Sequence, residues 1–271
     1  MLPNQSRPIG LVRWRPVELL ASGRLAEVFA WSEGRVLKLD RREWNGVAVL
    51  EASALATVTE AGVPAPRVYE TVVVGDRHGI VIDRVDGPIL AEIVESDVDV
   101  EGLAAAWTEL HASLNAHVVA GLPDLVSSLA AGIAASGLAP ATREELLALL
   151  AALDDGQRVL CHFDLHAGNV IVGSAGWVVI DWLTASVGPA DADFARTLVL
   201  SPPSAVSPSG RFMTFVLRDG LRARRIDRAR LDGWIRVVAA ARLSEGFEGA
   251  DADFLASLAS GETRIEDRRV R

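Results

Sequence analysis

Past residue 16 the chain runs in short alternating stretches. VELLAS (17–22) leads into Gly23, EVFAW (27–31) alternates apolar with polar positions, Ser32-Glu33-Gly34 reads as a tight turn, and RVLKL (35–39) alternates again. Period-two alternation broken by turn residues predicts the strands of a meander. Lys38 falls in the third strand on the face of Val36, so its charge sits either at a sheet edge or in a buried place. A helix is expected next: Asp40 and Glu43 have capping-box spacing, Gly62 marks the stop, and Pro64 and Pro66 prevent continuation. On that helix Val47, Glu51, Leu55 and Val58 share one face, so Glu51 interrupts an apolar stripe. Either Glu51 lies at the stripe's edge and reaches water, or it needs a cation, and the preceding strand offers Lys38. Strands at 67–74 and 79–83 follow, joined by a turn at 75–78, and Asp86-Gly87-Pro88 reads as a boundary.

From there to about residue 155 the pattern is helical, with one helix over 101–119 and another capped by Thr142 and Glu145. Residues 158–182 switch back: RVLC is a short strand, HFDLHAGN (162–169) a polar loop, VIV a strand, 173–176 a turn, and WVVI (177–180) a strand ending at Asp181. SPPSAVSPSG (201–210) is a loop, and helices are expected over 211–224, 228–244 and 251–260. Strands with one helix followed by mostly helices predict an α+β protein of two unequal lobes, divided as 1–84 and 85–271.

Composition narrows the function classes. With 271 residues, 50% of them apolar, there is ample material for a core; with only 6% aromatic, Ala, Leu and Val must fill it. A net charge of −9 argues against a nucleic-acid partner. No apolar run is long enough to span a membrane, and MLPNQSRPIG lacks the apolar segment of a signal peptide, so the expected location is the cytoplasm. A lone cysteine, Cys161, excludes an internal disulfide framework and a cysteine-rich zinc site; ending a buried strand, it is expected to be inert. Of 27 basic residues 26 are Arg and one, Lys38, is Lys. A GC-rich genome accounts for the Arg excess but not for the surviving ammonium, which Arg does not replace where a compact charge is needed.

The polar loop and the end of the following hairpin carry Asp164, Asn169 and Asp181. Carboxylate and amide oxygens are hard donors suited to Mg²⁺, which keeps phosphate oxygens among its ligands. A further carboxylate held apart from the metal orients a hydroxyl and takes its proton. That is the equipment for phosphoryl transfer from a nucleotide to an alcohol, which a Lys–Glu pair on a separate sheet completes. Asp164 as a mere loop-capping side chain is the plainer alternative.

The pattern H-x-D-x-x-x-x-N (His162, Asp164, Asn169), followed by a strand and I-D-W, resembles the aminoglycoside phosphotransferase and choline kinase-like family of small-molecule kinases, distantly related in fold to protein kinases. GPADADFAR, through Gly188, Asp193, Phe194 and Ala195, resembles a further family stretch. Upstream, GRLAEVFAWSEGRVLKL is similar to the nucleotide loop and Lys strand, EASAL (51–55) and GVPAPRV (62–68) to the Glu helix and its exit, and IDRVDG (82–87) to the hinge. The likeness keeps its order from about residue 19 to 200. It implies a protein-kinase-like fold, with a small antiparallel N-terminal nucleotide lobe and a larger, mainly helical catalytic and acceptor lobe. It also implies Asp164 as catalytic base, Asn169 and Asp181 as magnesium ligands, and Lys38 on the α/β-phosphates paired with Glu51. Backbone of Ile82, Asp83, Arg84 and Val85 would meet adenine, and Gly23 would lie in the phosphate loop. The chain departs from the pattern at Phe163 (usually Gly), at Trp182 (Phe in D-F-G) and in lacking G-x-G-x-x-G around Gly23.

Several residues carry two readings. His162 and His166 have the look of metal ligands, but a soft-metal site needs more His or Cys, and His162 reads as a scaffold bonding backbone. Asp193 is an anchor for the catalytic loop or a helix cap. Trp107, His111 and Leu114 share one helix face and read as core. Only eleven residues separate Asp181 from Asp193, with no A-P-E end, so a peptide substrate is disfavoured and a small hydroxylated acceptor favoured. Glu245, Glu248, Asp251 and Asp253 form either a seat for a cationic acceptor or a solvated helix cap, and the basic stretch 218–230 would repel a polycation facing it. Two function classes stay open: an ATP- or GTP- and Mg²⁺-dependent phosphotransferase, and a catalytically silent kinase-like binding protein.

Overall fold

The structure, a computed structural model, describes residues 10–11 and 18–267. Val17, expected to open the first strand, and the first nine residues, read above for a signal peptide, lie outside the described residues. The chain begins with β1 (Gly10–Leu11), β2 (Leu19–Ser22), β3 (Ala26–Ser32) and β4 (Arg35–Asp40), then α1 (Val47–Glu60), β5 (Val68–Val74) and β6 (Arg77–Asp83). These strands form one sheet in the order β1-β5-β6-β4-β3-β2. It is antiparallel except where β1 pairs parallel with β5. Lys38 stands in register with Val28 on one side and Ile80 on the other, which makes β4 a central strand and settles the edge-or-buried choice.

The expected capping box at Asp40 and Glu43 does not form. A 3₁₀ turn, Arg42–Trp44, intervenes, and α1 starts later. Asp40 still caps it: its buried carboxylate accepts from the Gly46 N–H at 2.7 Å and the Ala48 N–H at 3.0 Å. At the other end Gly62 takes a φ of +82°, the left-handed conformation that closes helices. Glu51, Leu55 and Val58 are buried, so the stripe faces the sheet with Glu51 inside it.

The next elements are α2 (Leu90–Glu95), α3 (Val100–Leu114), α4 (Leu125–Ala135), α5 (Pro140–Leu153) and β7 (Val159–Cys161). A 3₁₀ turn (Ala167–Asn169), the hairpin β8 (Val170–Gly173) and β9 (Gly176–Val179), and β10 (Ser186–Gly188) follow. The chain closes with α6 (Ala190–Leu200), α7 (Pro208–Arg224), α8 (Arg228–Arg242), a 3₁₀ turn (Leu243–Glu245) and α9 (Gly249–Ser260). Of the boundaries that differ from expectation, three have a visible cause. The helix expected over 101–119 stops at Leu114, where Asn115 turns its side chain to other partners. Thr142 is not a cap, because Pro140 occupies the first position of α5. The loop expected through 210 ends at Ser207, whose side chain caps α7 at Gly210 N–H, again with Pro in first position.

The described chain divides into two compact units. One takes the residues through Gly87 together with Ile171–Leu183; the other takes Pro88–Val170 and Thr184 onward. In the first, α1 packs on β4, β5 and β6, while Leu37, Leu39, Val72 and Val81 form a cluster flanked by Phe29, Trp31, Tyr69 and Val74. Gly87 is required there: with φ at +153°, a Cβ on it would lie 2.3 Å from the Val172 carbonyl oxygen. The second unit is mainly helical. Its α8 packs against α4, α5, α6 and α9, burying Leu231, Trp234, Ile235, Val237 and Val238. Trp107 on α3 meets Phe212 on α7 edge-on at 5.8 Å. No helix among the described residues is long and apolar enough to cross a membrane.

Candidate active site

In the first unit the ammonium of Lys38 is held by two carboxylates. Its Nζ lies 2.6 Å from Glu51 Oε2, and it donates to Glu51 Oε1 at 2.8 Å and to Asp181 Oδ1 at 3.2 Å. The side chains of Glu51 and Lys38 are only 4% and 18% exposed, whereas that of Asp181 is 38% exposed and opens to solvent. Burial alone would lower the Lys38 pKa, but Glu51 and Asp181 override it and leave it raised, so the amine stays charged. Glu51 is pushed up, by burial first and by Asp181 as a like charge, against the pull of Lys38. Asp181 follows β9 with a φ of +64°, unusual for a residue with a Cβ, and Trp182 beside it is fully buried with its indole N–H on Val179 O at 2.9 Å. Asp181 Oδ2 has no hydrogen-bond donor among the described residues.

In the second unit the 162–169 loop is built around Asp193, in the first turn of α6. Its fully buried carboxylate accepts four hydrogen bonds: from His111 Nε2 at 3.0 Å, Asn115 Nδ2 at 2.9 Å, His162 N–H at 3.3 Å and Phe163 N–H at 2.8 Å. Burial would raise its pKa, but His111 and these donors hold it well below the usual carboxylate range. Burial, then the Arg224 charge, push the His111 pKa down. Its Nε2–H is therefore the donor to Asp193, with the ring neutral. Phe163, where the family pattern usually has Gly, has a φ of +61°. That left-handed backbone is the physical reason for Gly at this position. Here Phe occupies it with its N–H bound to Asp193 and the Arg196 guanidinium 5.1 Å from its ring.

The same loop sets the next residues. Asp164 N–H donates to His162 Nδ1 at 3.2 Å, so the His162 ring serves backbone. Thr184 and Thr197 hydroxyls donate to the carbonyls of His162 and Leu165 at 2.8 and 3.0 Å. Asn169 donates its Nδ2 to Asp164 O at 2.9 Å and to Asp164 Oδ2 at 3.3 Å. Both bonds use the amide nitrogen, so the oxygen of this buried side chain is left as its acceptor. The amide oxygen of Asn169 in the second unit and the carboxylate of Asp181 in the first are, each by itself, hard donors of the kind a small divalent cation takes. No group of three or more His, Cys, Asp or Glu side chains able to hold a metal occurs among the described residues. Cys161 is buried and its thiol pushed well up by that burial, which leaves it unreactive.

Gly23 lies in the β2–β3 turn, its N–H on Ala26 O and its carbonyl bound by Arg41 Nε, both at 2.9 Å. The Asp83 carboxylate accepts from Tyr69 OH at 2.6 Å and Arg67 N–H at 2.9 Å. The N–H groups of Asp83 and Arg84 are engaged by Arg67 O and Gly34 O, so neither is open to a base edge. Ile82 sits within β6. A cavity of about 360 Å³ lies beside this segment, lined by Pro66, Arg84, Val85, Asp86 and Ser174.

Sequence reasoning missed Asn115 and Arg224 and placed His111 only in the core. Arg224 donates to Asn115 Oδ1 at 2.7 Å and to Ala190 O at 3.2 Å. The available signal was two polar residues, His111 and Asn115, four apart on a helix face otherwise carrying Trp107 and Leu114. Glu245, Glu248, Asp251 and Asp253 do not act as one acidic seat. Glu245 is bound by Arg196 at 2.6 Å, and Glu248 sits at the α9 N-cap without a side-chain capping bond. The basic stretch is likewise occupied: Arg218 holds Asp219 and Glu101, Arg228 holds Asp232 and Glu266, and Arg230 holds Asp155 and Asp191.

Residues 16–234 match the sequence model of the phosphotransferase enzyme family. The chain belongs to that family. A member of it is a small-molecule phosphotransferase, and the α+β class expected from the residues, with the kinase-like fold implied by the resemblance, is the one found. Among curated proteins no sequence matches the chain. Solved structures share the phosphotransferase fold. A thermostable mutant of aminoglycoside phosphotransferase APH(4)-Ia, in ternary complex with ADP and hygromycin B, is 15% identical over 93% of this chain and 94% of its own, with a TM-score of 0.67. ADP-bound aminoglycoside phosphotransferase APH(2'')-Ib is 18% identical over 92% of each chain, TM-score 0.61. Amicoumacin kinase hAmiN, in complex with AMP-PNP, Ca²⁺ and Ami, is 16% identical over 92% of this chain and 89% of its own, TM-score 0.60.

Proposed function

We propose that this phosphotransferase moves the γ-phosphoryl group of ATP or GTP to a hydroxyl of a small molecule, with Mg²⁺, in the cytoplasm, and without a nucleic-acid or membrane partner. The observation that carries the reading is the Asp164–Asn169 pair on a loop locked by Asp193. It supplies a fixed carboxylate, 28% exposed, tied to an amide whose nitrogen is committed to Asp164. Structures of this fold with ADP or AMP-PNP, one also with Ca²⁺, support a nucleotide and a divalent ion.

In this reading residues 1–84 form the nucleotide lobe and 85–271 supply catalysis and acceptor binding. Lys38, charged and steered by Glu51, contacts the α/β-phosphates, and Gly23 lies in the turn over them. The Val85 N–H, which has no partner among the described residues, meets the base edge next to Ile82, Asp83 and Arg84. Asn169 and Asp181 hold magnesium, which when bound neutralises phosphate charge. Asp164 orients the acceptor hydroxyl and accepts its proton, while His162 and Asp193 keep that carboxylate in place.

The test is ATP turnover with Mg²⁺ by the purified chain and its Asp164→Asn and Asp181→Ala variants. Loss of a positioned base is expected to lower the rate by about 10²–10⁴. Equal residual rates in wild type and both variants would replace this reading with a silent binding protein. A screen of hydroxylated acceptors for a gain of one phosphoryl mass identifies the substrate.

A further inference from the structure

Beside the catalytic loop the second unit holds two arginines that share one carboxylate. Arg196 on α6 is 6% exposed and donates Nη1 to Glu245 Oε1 at 2.6 Å. Arg242, the last residue of α8, has a side chain 16% exposed and stands 3.5 Å from the other Glu245 oxygen. It also donates Nη1 to Val199 O at 3.2 Å and lies over the Phe247 ring at 4.6 Å. The Nε of both arginines is buried; that of Arg196 has no hydrogen-bond partner among the described residues, and that of Arg242 has only the 3.5 Å ion pair with Glu245. Arg242 Nη2 has no hydrogen-bond partner among the described residues. The Arg196 guanidinium also lies 5.1 Å from the ring of Phe163, the residue before Asp164, which sets the arginine pair beside the catalytic loop.

Arg242 is also one wall of a cavity of about 200 Å³, whose other lining includes Val199, Phe247, Phe254 and Leu255, with Asp251 on the first turn of α9. An apolar cavity of about 150 Å³ holds one benzene, and drug-sized ligands need about 300–1,000 Å³. This cavity therefore takes one ring of an acceptor. With Nε on Glu245 and one Nη1 N–H on Val199 O, the Nη2 edge of the planar Arg242 guanidinium is the part that matches a carboxylate or phosphate oxygen, and its charge acts through the protein interior. Asp251 is exposed, so water and salt weaken its opposing charge. Glu245, already shared by two cations, leaves little for an ammonium.

Resting on the phosphotransfer reading, we infer that Arg242 determines acceptor specificity: it anchors an anionic oxygen of an acceptor whose single apolar ring fills this cavity and whose hydroxyl meets Asp164. In the transfer the acceptor O–H proton goes to Asp164. The acceptor oxygen bonds to the γ-phosphorus as the β,γ-bridging P–O bond breaks, with the electron pair leaving on the nucleoside diphosphate.

The experiment uses the full chain and four probes: 3-phenyllactate, its uncharged methyl ester, the cationic 2-amino-1-phenylethanol, and kanamycin. Binding is measured by calorimetry without nucleotide, and ADP release is measured separately with ATP and Mg²⁺. Phenyllactate is expected to bind roughly tenfold or more tighter than its ester, as a charge-assisted hydrogen bond requires. Arg242→Met should erase that ratio while leaving ester binding in place, and Arg242→Lys should restore it in part. Tighter binding of the amine or kanamycin, or equal binding of acid and ester, would overturn the inference. If Arg242→Met fails to fold in a melting control, the acid-to-ester ratio in wild type still decides. Binding of phenyllactate without any turnover would refute phosphotransfer but keep the anchor; turnover on kanamycin alone would do the reverse.

Discussion

Replacing Asp193 by Asn changes one buried atom from an oxygen to an NH₂ and keeps the shape. Oδ1 still accepts from Phe163 N–H, but the Oδ2 position faces three donors: His111 Nε2, Asn115 Nδ2 and His162 N–H. His111 relieves one conflict by shifting its proton to the other ring nitrogen. Two donors stay buried without an acceptor, at about 1–3 kcal/mol each. The expected loss is therefore about 4 kcal/mol, close to the roughly 3–5 kcal/mol seen when one member of a buried charged pair is removed. For a chain of this size that lowers the melting temperature by roughly 8–16 °C. The loop carrying Phe163 in its strained conformation also loses its anchor, so turnover should fall along with stability. Thermal unfolding by circular dichroism, alongside ATP turnover at a temperature where both forms are folded, checks both effects. A melting shift under about 2 °C with full turnover would show that Asp193 is not the hub of the loop.

Three further outcomes follow from the same geometry. Lys38→Met leaves Glu51 buried without its cation and should cost about 3–5 kcal/mol in urea unfolding, whereas adding Glu51→Leu should recover much of it; equal losses would argue against coupling. Gly87→Ala forces a Cβ to within 2.3 Å of Val172 O and should cost about 2 kcal/mol or more in melting experiments. His111 is held neutral by burial, with its pKa below the ordinary 6.5, so its contribution is complete above that pH and is lost as pH falls below it. Asp193, also depressed, adds a further loss only below about 3.8. Melting temperature followed from pH 7 downward should decline from about 6.5, and His111→Gln should flatten that first part of the curve.

What could be read in the residues was local or dictated by solvation. A carboxylate in an apolar stripe demanded a cation, and one lysine in the preceding strand was available; Lys38 and Glu51 do meet. The strand–helix–strand order and the polar loop followed from periodicity. The Asp193 hub did not, because its donors come from α3 and the loop, about 30 to 80 residues away in sequence, and no local pattern encodes that convergence. Helix ends failed where a side chain is recruited elsewhere. Asn115 binds Leu160 O and Asp193 instead of extending α3, and Asp40 caps α1 from six and eight residues upstream. The proline-rich stretch before α7 reads as loop to its end, yet Pro208 initiates the helix that its composition argues against.

A chain with a single ε-amine offers amine-directed reagents one side-chain target, and here that target is Lys38. Its two carboxylate neighbours keep it protonated and so a poor nucleophile. Acylation of the folded protein at this position would therefore proceed only as fast as the ion cluster opens. A single mass-spectrometric time course would then report both how often this cluster breathes and how far an occupant shields it, with no engineered label.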